Sequence, residues 1–579
     1  MDRRLLWAVL LMMAIAFVPS IFIKRPPRPV PAAAPVDFPA AASPAPAGGV
    51  TAVAPAPSPA APAGEVTAPT DTITVTTPLA RYGVSTRGAV LTSLDLVKYR
   101  STAPATKDAA VELIRPGTPL LGLVITTGAD TLHLDQWDFQ VEPSSLNVTS
   151  EPASLTLLAE RAGHTVRIRY TFLPADYQVG VTGSVTGIGA AGGQLVLGLG
   201  SGLANTEADS VDNFRAAALV TYGGSAERHD LAKLSAGETT SLSGPFSWIA
   251  LKSKYFVTAI LAFDSTGGKV SGVSATPLPT AGKRPTAAAT RLLMPIATSG
   301  EFSYTLYAGP MEYDRLKRIG HDFDDVNPYG LPGFRTLIRF FAAPVRWLLV
   351  WMHESLYLGY GVVLIAFGLL VRLLLWPLNQ KAMRANTALQ ALQPQLQRIQ
   401  EQYKSDPPQL QKKMFELYKE NGVNPLGGCW PMLLPMPVLF ALFFVLGNSI
   451  ELRGVPFLWF PDLARPDPYF IIPVLSGLSM FGLTKVGQMG IQHTAQTKMQ
   501  AQMMTYMMPV MITIFGLNFA SGLNLYWTVS NLASIPQQWL IARERMKLQK
   551  AEVKAFVEIK TQPLDDGKGG KRGKGGKKA

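Results

Sequence analysis

The sequence predicts a polytopic α-helical membrane protein that carries a large all-β sandwich domain. Three observations lead there. The apolar run from Leu356 to Leu378 (LYLGYGVVLIAFGLLVRLLLWPL) is long enough to cross a bilayer core, which takes about 20 residues. Four more apolar segments follow it, at 429–447, 469–487, 503–519 and 523–541. Residues 71–312 instead alternate apolar and polar side chains in short stretches punctuated by Gly, Pro, Asp and Asn, the pattern of period-two strands. Composition agrees: 47% of the 579 residues are hydrophobic and 16% charged, well under the charged quarter of an ordinary soluble domain.

The N-terminus begins Met1-Asp2-Arg3-Arg4 and is apolar from Leu5 to Ile23. No small-x-small cleavage site directly follows that core, so residues 1–25 read as an uncleaved signal anchor with a cytoplasmic N-terminus; cleavage in the Ala-rich 32–34 region is the alternative. Residues 26–70 are Pro, Ala, Gly and Val with few charges, an extended tether that cannot bury a core.

The β region follows, with TITVT at Thr72–Thr76, TVRIRYTF at Thr165–Phe172 and QLVLGL at Gln194–Leu199. Some 240 residues suffice for a sizeable core. His133, His164 and His229 are scattered, and no HExxH, nucleophile elbow or phosphate loop accompanies them, so no enzymatic site is expected here.

Residues 333–353 (from GFRTLIRFFAAPVRWLLVWM) are apolar but carry Arg335, Arg339 and Arg346 at spacings of four and seven. One basic face among Phe334, Leu337, Phe341, Leu348 and Trp351 suits a helix lying in the membrane interface; a spanning helix is the alternative. The second span, 354–378, contains Arg372. A guanidinium there costs about 3 kcal/mol at a helix centre and less toward an end, so it snorkels to the interface or faces a polar cavity.

Residues 379–427 are polar. Leu389, Leu392, Leu396, Ile399 and Tyr403 keep a three-four rhythm, repeated by Leu410, Met414 and Leu417 after Ser405-Asp406-Pro407-Pro408, which predicts a helical hairpin. Lys381, Arg384, Arg398, Lys404, Lys412, Lys413 and Lys419 outnumber its acids and place it in the cytoplasm. Four further spans within 428–541 return the chain to the cytoplasm, leaving the β domain on the periplasmic side. The tail, 542–579, is strongly basic, as is the protein at net +13. Such a tail fixes topology, and it is also suited to anionic lipid or ribosomal RNA phosphates. A single cysteine, Cys429, excludes an intrachain disulfide and a Cys-based zinc site.

The most specific motif is Asn424-Pro425-Leu426-Gly427-Gly428-Cys429-Trp430-Pro431, continuing MLLPMPVLFALFFVL, where Pro431, Pro435 and Pro437 bend the helix entry. Together with VRLLLWPLNQKA, ALQPQLQRIQEQY, ELYKENGVNPLGG and SGLNLYWTVSNLASIPQQWLI, it resembles the YidC family of membrane protein insertases, relatives of the mitochondrial Oxa and chloroplast Albino insertases. The resemblance covers roughly 333–545 strongly, and the anchor and β domain through their order and size. It implies five core spans around a hydrophilic groove open to the cytoplasm and to lipid but closed towards the periplasm. It implies that Arg372, Gly368, Met436, Tyr526 and Trp527 face this groove and that the β domain resembles a sugar-mutarotase sandwich without that enzyme's activity. Gly368 stands where a relative has threonine, Trp527 where one has tyrosine and Pro435 where one has glutamine. The expected partners are nascent integral membrane proteins, the ribosome, membrane lipids and, by analogy, SecYEG and SecDF; no cofactor and no metal are expected.

The residues themselves agree with a wet indentation, because Asn524, Tyr526, Thr528, Ser530, Asn531 and Gln537 crowd the last span near an intramembrane cation. A secondary transporter of a small solute is the rival reading, but no Asp or Glu falls inside the six apolar cores and no paired repeat is visible. An intramembrane hydrolase lacks a base for Ser476, Ser479 or Ser521.

Overall fold

β-Branched and aromatic residues at every second position build the N-terminal half as sheets, and long apolar runs build the rest as helices. The computed structural model describes residues 71–561 apart from 128–129, 189–191, 236, 264–267, 279–284, 328–334, 423–435 and 492–494. It divides into two units, residues up to Leu331 with Asn448–Ile450, and the remainder. The signal-anchor and linker readings, the Asn424–Pro431 motif and the end of the basic tail lie outside the described residues.

The described residues of the β unit form three sheets. The largest, nine-stranded and antiparallel, runs in the order Ala226–Asp230, Ala218–Tyr222, Trp248–Lys252, Phe256–Leu261, Glu301–Pro310, Gln178–Val185, His164–Phe172, Ala153–Arg161 and Gln140–Glu142. Strand His164–Phe172 shows the governing alternation: Val166, Ile168, Tyr170 and Phe172 are buried while Arg167 and Arg169 face solvent. The five-stranded sheet covers one face, with Tyr82 tilted against Phe172 at 5.0 Å and Tyr99 edge-on to Phe256 at 5.6 Å. The Tyr170 hydroxyl donates to the Ala89 carbonyl across the same gap. Isolated bridges Leu91↔Leu120 and Ile114↔Leu203 tie the six-stranded sheet to this layer. The result is a β sandwich.

Helix α1 (Ser210–Ala216) is capped by Asp209, whose carboxylate accepts from the Asp212 N–H at 2.9 Å, and the opposite face of the nine-stranded sheet is covered by the segment that follows its strand Glu301–Pro310. Helix α2 (Tyr313–Ile319) leads into the 3₁₀ turn Phe323–Val326. Phe323 meets Trp248 edge-on at 5.2 Å and Tyr307 at 5.5 Å, and the Trp248 indole donates to the His321 carbonyl. This explains why Trp248–Lys252 and Phe256–Leu261 are buried on both faces and read as unbroken apolar runs.

Lys252 points into this same buried layer, where its ammonium nitrogen donates to Asn327 Oδ1 at 2.7 Å. Burial, and secondarily the Arg228 charge, push its pKa well below the usual 10.5. Between its folded and unfolded pKa values the unfolded chain holds a proton that the folded chain lacks, so stability is lost as pH falls through that window. Full-length protein in detergent is therefore expected to melt higher at pH 9 than at pH 7. Lys252→Met flattens that slope; an unchanged slope in the variant refutes the assignment.

The helical unit begins with α3 (Arg335–Leu356) and α4 (Tyr360–Ala391). Within α4, Tyr360–Gln380 is the one described stretch long and apolar enough by itself to cross a membrane. The expected change of element at Asn379 is absent, because Lys381, Ala382, Met383, Arg384 and Ala385 continue a strong helix-forming sequence and α4 runs on to Ala391. Helices α5 (Gln393–Gln402) and α6 (Pro407–Glu420) then double back. Asp406 caps α6 by accepting from the Gln409 N–H, and Leu392, Leu396 and Leu417 pack with Ile399, Met414 and Tyr418 along the seam. Helix α7 (Met436–Asn448), α8 (Ile471–Gly487), α9 (Ala495–Gln502), a π turn at Met503–Met507, α10 (Met508–Gly516) and α11 (Ser521–Thr561) complete the unit.

Helix α3 departs from a uniformly basic face. Phe340, Trp347 and Trp351 are exposed, with the two indoles stacked at 6.3 Å, but Arg346 is buried and pairs with Glu451 at 2.7 Å. Helical spacing alone grouped Arg346 with Arg335 and Arg339; an acid over a hundred residues away in sequence turns it inward.

Candidate intramembrane site around Arg372

Arg372 lies twelve residues into α4, about 18 Å along the axis from Tyr360. Around that helix, Leu369, Leu370, Leu373 and Leu374 are exposed, whereas Phe367 and Gly368 are buried against α11. Arg372 is half-buried on the seam between the exposed and the packed surface. Its Nε donates to Ser534 Oγ, and Ser534 in turn donates to the Ser530 carbonyl one turn earlier. The Tyr526 phenol lies close enough to the guanidinium for electrostatic interaction, and its ring tilts against Phe367 at 5.9 Å. A Cβ added at Gly368 would sit 3.4 Å from both Tyr526 Cδ2 and Val529 Cγ1, so glycine sets how closely α11 approaches. Among the described residues no carboxylate pairs with Arg372.

The polar residues of α11 do not all gather around this cation, as the sequence suggested. At 100° per residue they sort into two faces. Ser521, Asn524, Thr528 and Asn531 form one, and all are buried. Asn524 Nδ2 donates to the Gly516 carbonyl at 2.8 Å, Asn531 Nδ2 to Ser479 Oγ at 3.1 Å and Thr528 Oγ1 to the Asn524 carbonyl at 2.8 Å. Asn524 and Asn531 thus bind this face to α10 and α8 by hydrogen bonds between helices, while the Thr528 bond stays within α11. Tyr526, Ser530, Ser534 and Gln537 form the other, turned toward α4, and Gln537 Nε2 donates to the Trp376 carbonyl at 3.0 Å. Ser534, the residue bonded to Arg372, escaped the sequence reading. Its i, i+4 spacing from Ser530 and Tyr526 was the available signal.

Of the residues singled out in the sequence, Arg372, Gly368 and Tyr526 are thus brought together. Trp527 is half-buried, a hundred degrees round α11 from Tyr526 and about 20° from Ser534, between the two polar faces. The Met436 side chain lies outside the described residues. At the far end of the bundle Arg545 Nη1 donates to the Gly487 and Met489 carbonyls at 3.2 and 3.1 Å, placing a cation on the negative C-terminus of α8. Among the described residues no group of three His, Cys, Asp or Glu could hold a metal ion.

Comparison with known proteins covers both units. Residues 72–348 match the family described as YidC periplasmic domain, and residues 351–550 the family described as 60Kd inner membrane protein. The chain is 33% identical over 494 residues to the membrane protein insertase YidC of Chlorobium phaeovibrioides, covering 80% of this chain and 82% of that one. It is 31% identical over 568 residues to the membrane protein insertase YidC of Syntrophus aciditrophicus, covering 94% and 100%. Among solved structures, a galactose mutarotase-like protein from Lactobacillus casei overlaps 42% of this chain and all of its own at 14% identity, with a TM-score of 0.26, too weak a likeness to carry an argument.

Proposed function

From the premise that the chain belongs to the YidC family of membrane protein insertases, we propose that Arg372 and the Tyr526–Ser530–Ser534 face of α11 receive the polar segment of a nascent membrane protein. Family insertases are inner-membrane proteins with a periplasmic domain and are not classical enzymes. The observation that carries the reading is a half-buried guanidinium at membrane depth, held by a serine hydroxyl and paired with no carboxylate among the described residues. Such a cation needs water or an incoming anion to solvate it. A client's hydrophilic tail enters here because polar groups replace hydrocarbon for part of the crossing. Its apolar helix then leaves past the exposed leucines of α4 into lipid, and burial in hydrocarbon drives the step without a nucleotide.

In this reading six spans carry both termini on the cytoplasmic side, and Gly368, Met436 and Trp527 line the groove with Arg372 and Tyr526. The α5–α6 hairpin and the basic tail meet the ribosome, and SecYEG with SecDF cooperates on larger clients. Photoreactive residues at Gly368, Met436 and Trp527, with ribosomes stalled on a single-span client, test it. Crosslinks to the nascent span that disappear on its release into lipid are expected. Silence at all three positions while Arg372 variants change uptake of a small solute would hand the site to a transporter.

A further inference from the structure

The segment between α7 and α8, Arg453 to Phe470, folds over the place where three helices begin. Phe457 and Phe460 exchange backbone hydrogen bonds at 3.0 and 2.9 Å to make a tight turn, and Phe460, Leu463 and Ala464 are buried. A Cβ at Gly361, in the first turn of α4, would lie 2.1 Å from the Phe457 ring, so that ring rests directly on the α4 backbone. The first N–H groups of α11 are satisfied by this segment: Ser521 N–H and Oγ both donate to the Arg465 carbonyl at 2.7 Å, and Gly522 N–H donates to the Leu463 carbonyl at 2.9 Å. A helix start leaves such donors without partners of its own, and here the segment supplies them.

One carboxylate organises the arrangement. Asp467 is 0% exposed. Its Oδ2 accepts from the Trp459 indole at 3.2 Å and from the Ile472 N–H of α8 at 2.8 Å, and its Oδ1 accepts from the Tyr469 N–H at 3.0 Å. Asp467 thereby joins the turn that covers α4 to the N-terminus of α8, where negative charge is also favoured by the helix dipole. Arg372 lies about 18 Å below this lid along α4.

A seal at one end of the groove is what membership of the family implies; we propose that residues 453–470 form that seal above Arg372, and that Asp467 is the positioning residue that latches it. The cap's place in insertion follows from the Arg372 reading on which it rests: a wet site halfway across a membrane must be sealed at one end or it leaks. Charge-assisted bonds to a buried carboxylate suit a latch, because removing the acceptor leaves the indole and the α8 N–H without their partner.

Sidedness of thiol labelling tests the cap. In full-length protein with Cys429→Ser, Ser530→Cys reports on the Arg372 region, and a membrane-impermeant maleimide is added to membrane vesicles of either orientation. From the side where α4, α8 and α11 begin, the parent is expected to label only at background. Asp467→Ala is expected to raise that labelling about ten-fold or more, the shift in a closed–open equilibrium from one charge-assisted hydrogen bond. Asp467→Asn keeps one acceptor oxygen and is expected to fall between. Trp459→Phe, a milder change, controls for misfolding and is expected to raise cap-side labelling to a smaller extent. If Asp467→Ala and Trp459→Phe both accumulate normally or poorly but leave cap-side labelling at background, the cap is refuted. Labelling from the opposite side is a separate readout: its absence in the parent counts against the groove reading and leaves the cap-side comparison to decide the latch.

Discussion

Replacing Arg372 with alanine is expected to slow insertion of clients whose translocated tails carry Asp or Glu by about ten-fold or more, and to spare neutral tails. Two unit charges 4 Å apart attract by roughly 4 kcal/mol at an effective dielectric near 20 and by about 1 kcal/mol in water. A partly wet site falls between, and a net loss near 1.4 kcal/mol already corresponds to ten-fold. Arg372→Lys keeps the charge but loses the planar fork that engages Ser534, so a loss of about three-fold is expected. Arg372→Glu reverses the preference, admitting basic tails and repelling acidic ones. Protease protection of the translocated tail, measured for client pairs differing only in tail charge, reads this out. Parent-like insertion of every client by the alanine, lysine and glutamate variants would remove the charge from the mechanism.

Breaking the Arg346–Glu451 pair from one side is expected to loosen α3 far more than removing both partners. The Arg346 side chain is 8% exposed and its bond to Glu451 is 2.7 Å. Deleting one member of a buried pair costs about 3 kcal/mol because the other charge stays desolvated, whereas an apolar replacement of both is close to neutral. Hydrogen exchange reports the local opening free energy of α3 without requiring two-state unfolding of a multi-unit chain. In Glu451→Ala, protection of the α3 amides should drop about a hundred-fold. The double variant Arg346→Met with Glu451→Leu should return to within about ten-fold of the parent. Equal protection in the single and double variants would mean the pair holds nothing in place.

The β sandwich was legible because its pattern is local. Val166, Ile168, Tyr170 and Phe172 announce a half-buried strand by alternation alone, and the observed strand His164–Phe172 buries those four. What covers each face was not legible: the fit of Tyr82 on Phe172 and of Phe323 on Trp248 joins residues about 75 or more apart in sequence. The buried Lys252 gave no signal either, since a lysine in a strand reads as a solvated edge until Asn327 is found beside it.

For the helical unit, family-specific motifs carried the identification of an insertase, and Arg372 stood out because a permanent cation in an apolar run has no neutral form to retreat to. The sequence by itself determined which segments are strands or helices, which residue is a permanent cation inside an apolar helix long enough to cross a membrane, and which family the chain belongs to, because periodicity and motif spacing are set by neighbours along the chain. Only the tertiary structure decided that Ser534 holds Arg372, that Asn524 and Asn531 bind helices together, that Arg346 turns inward to Glu451 and that Asp467 joins a lid to α8. Each of those depends on which faces of separate helices meet, and a hydrogen bond or ion pair has no energy until its two halves are within about 3 Å.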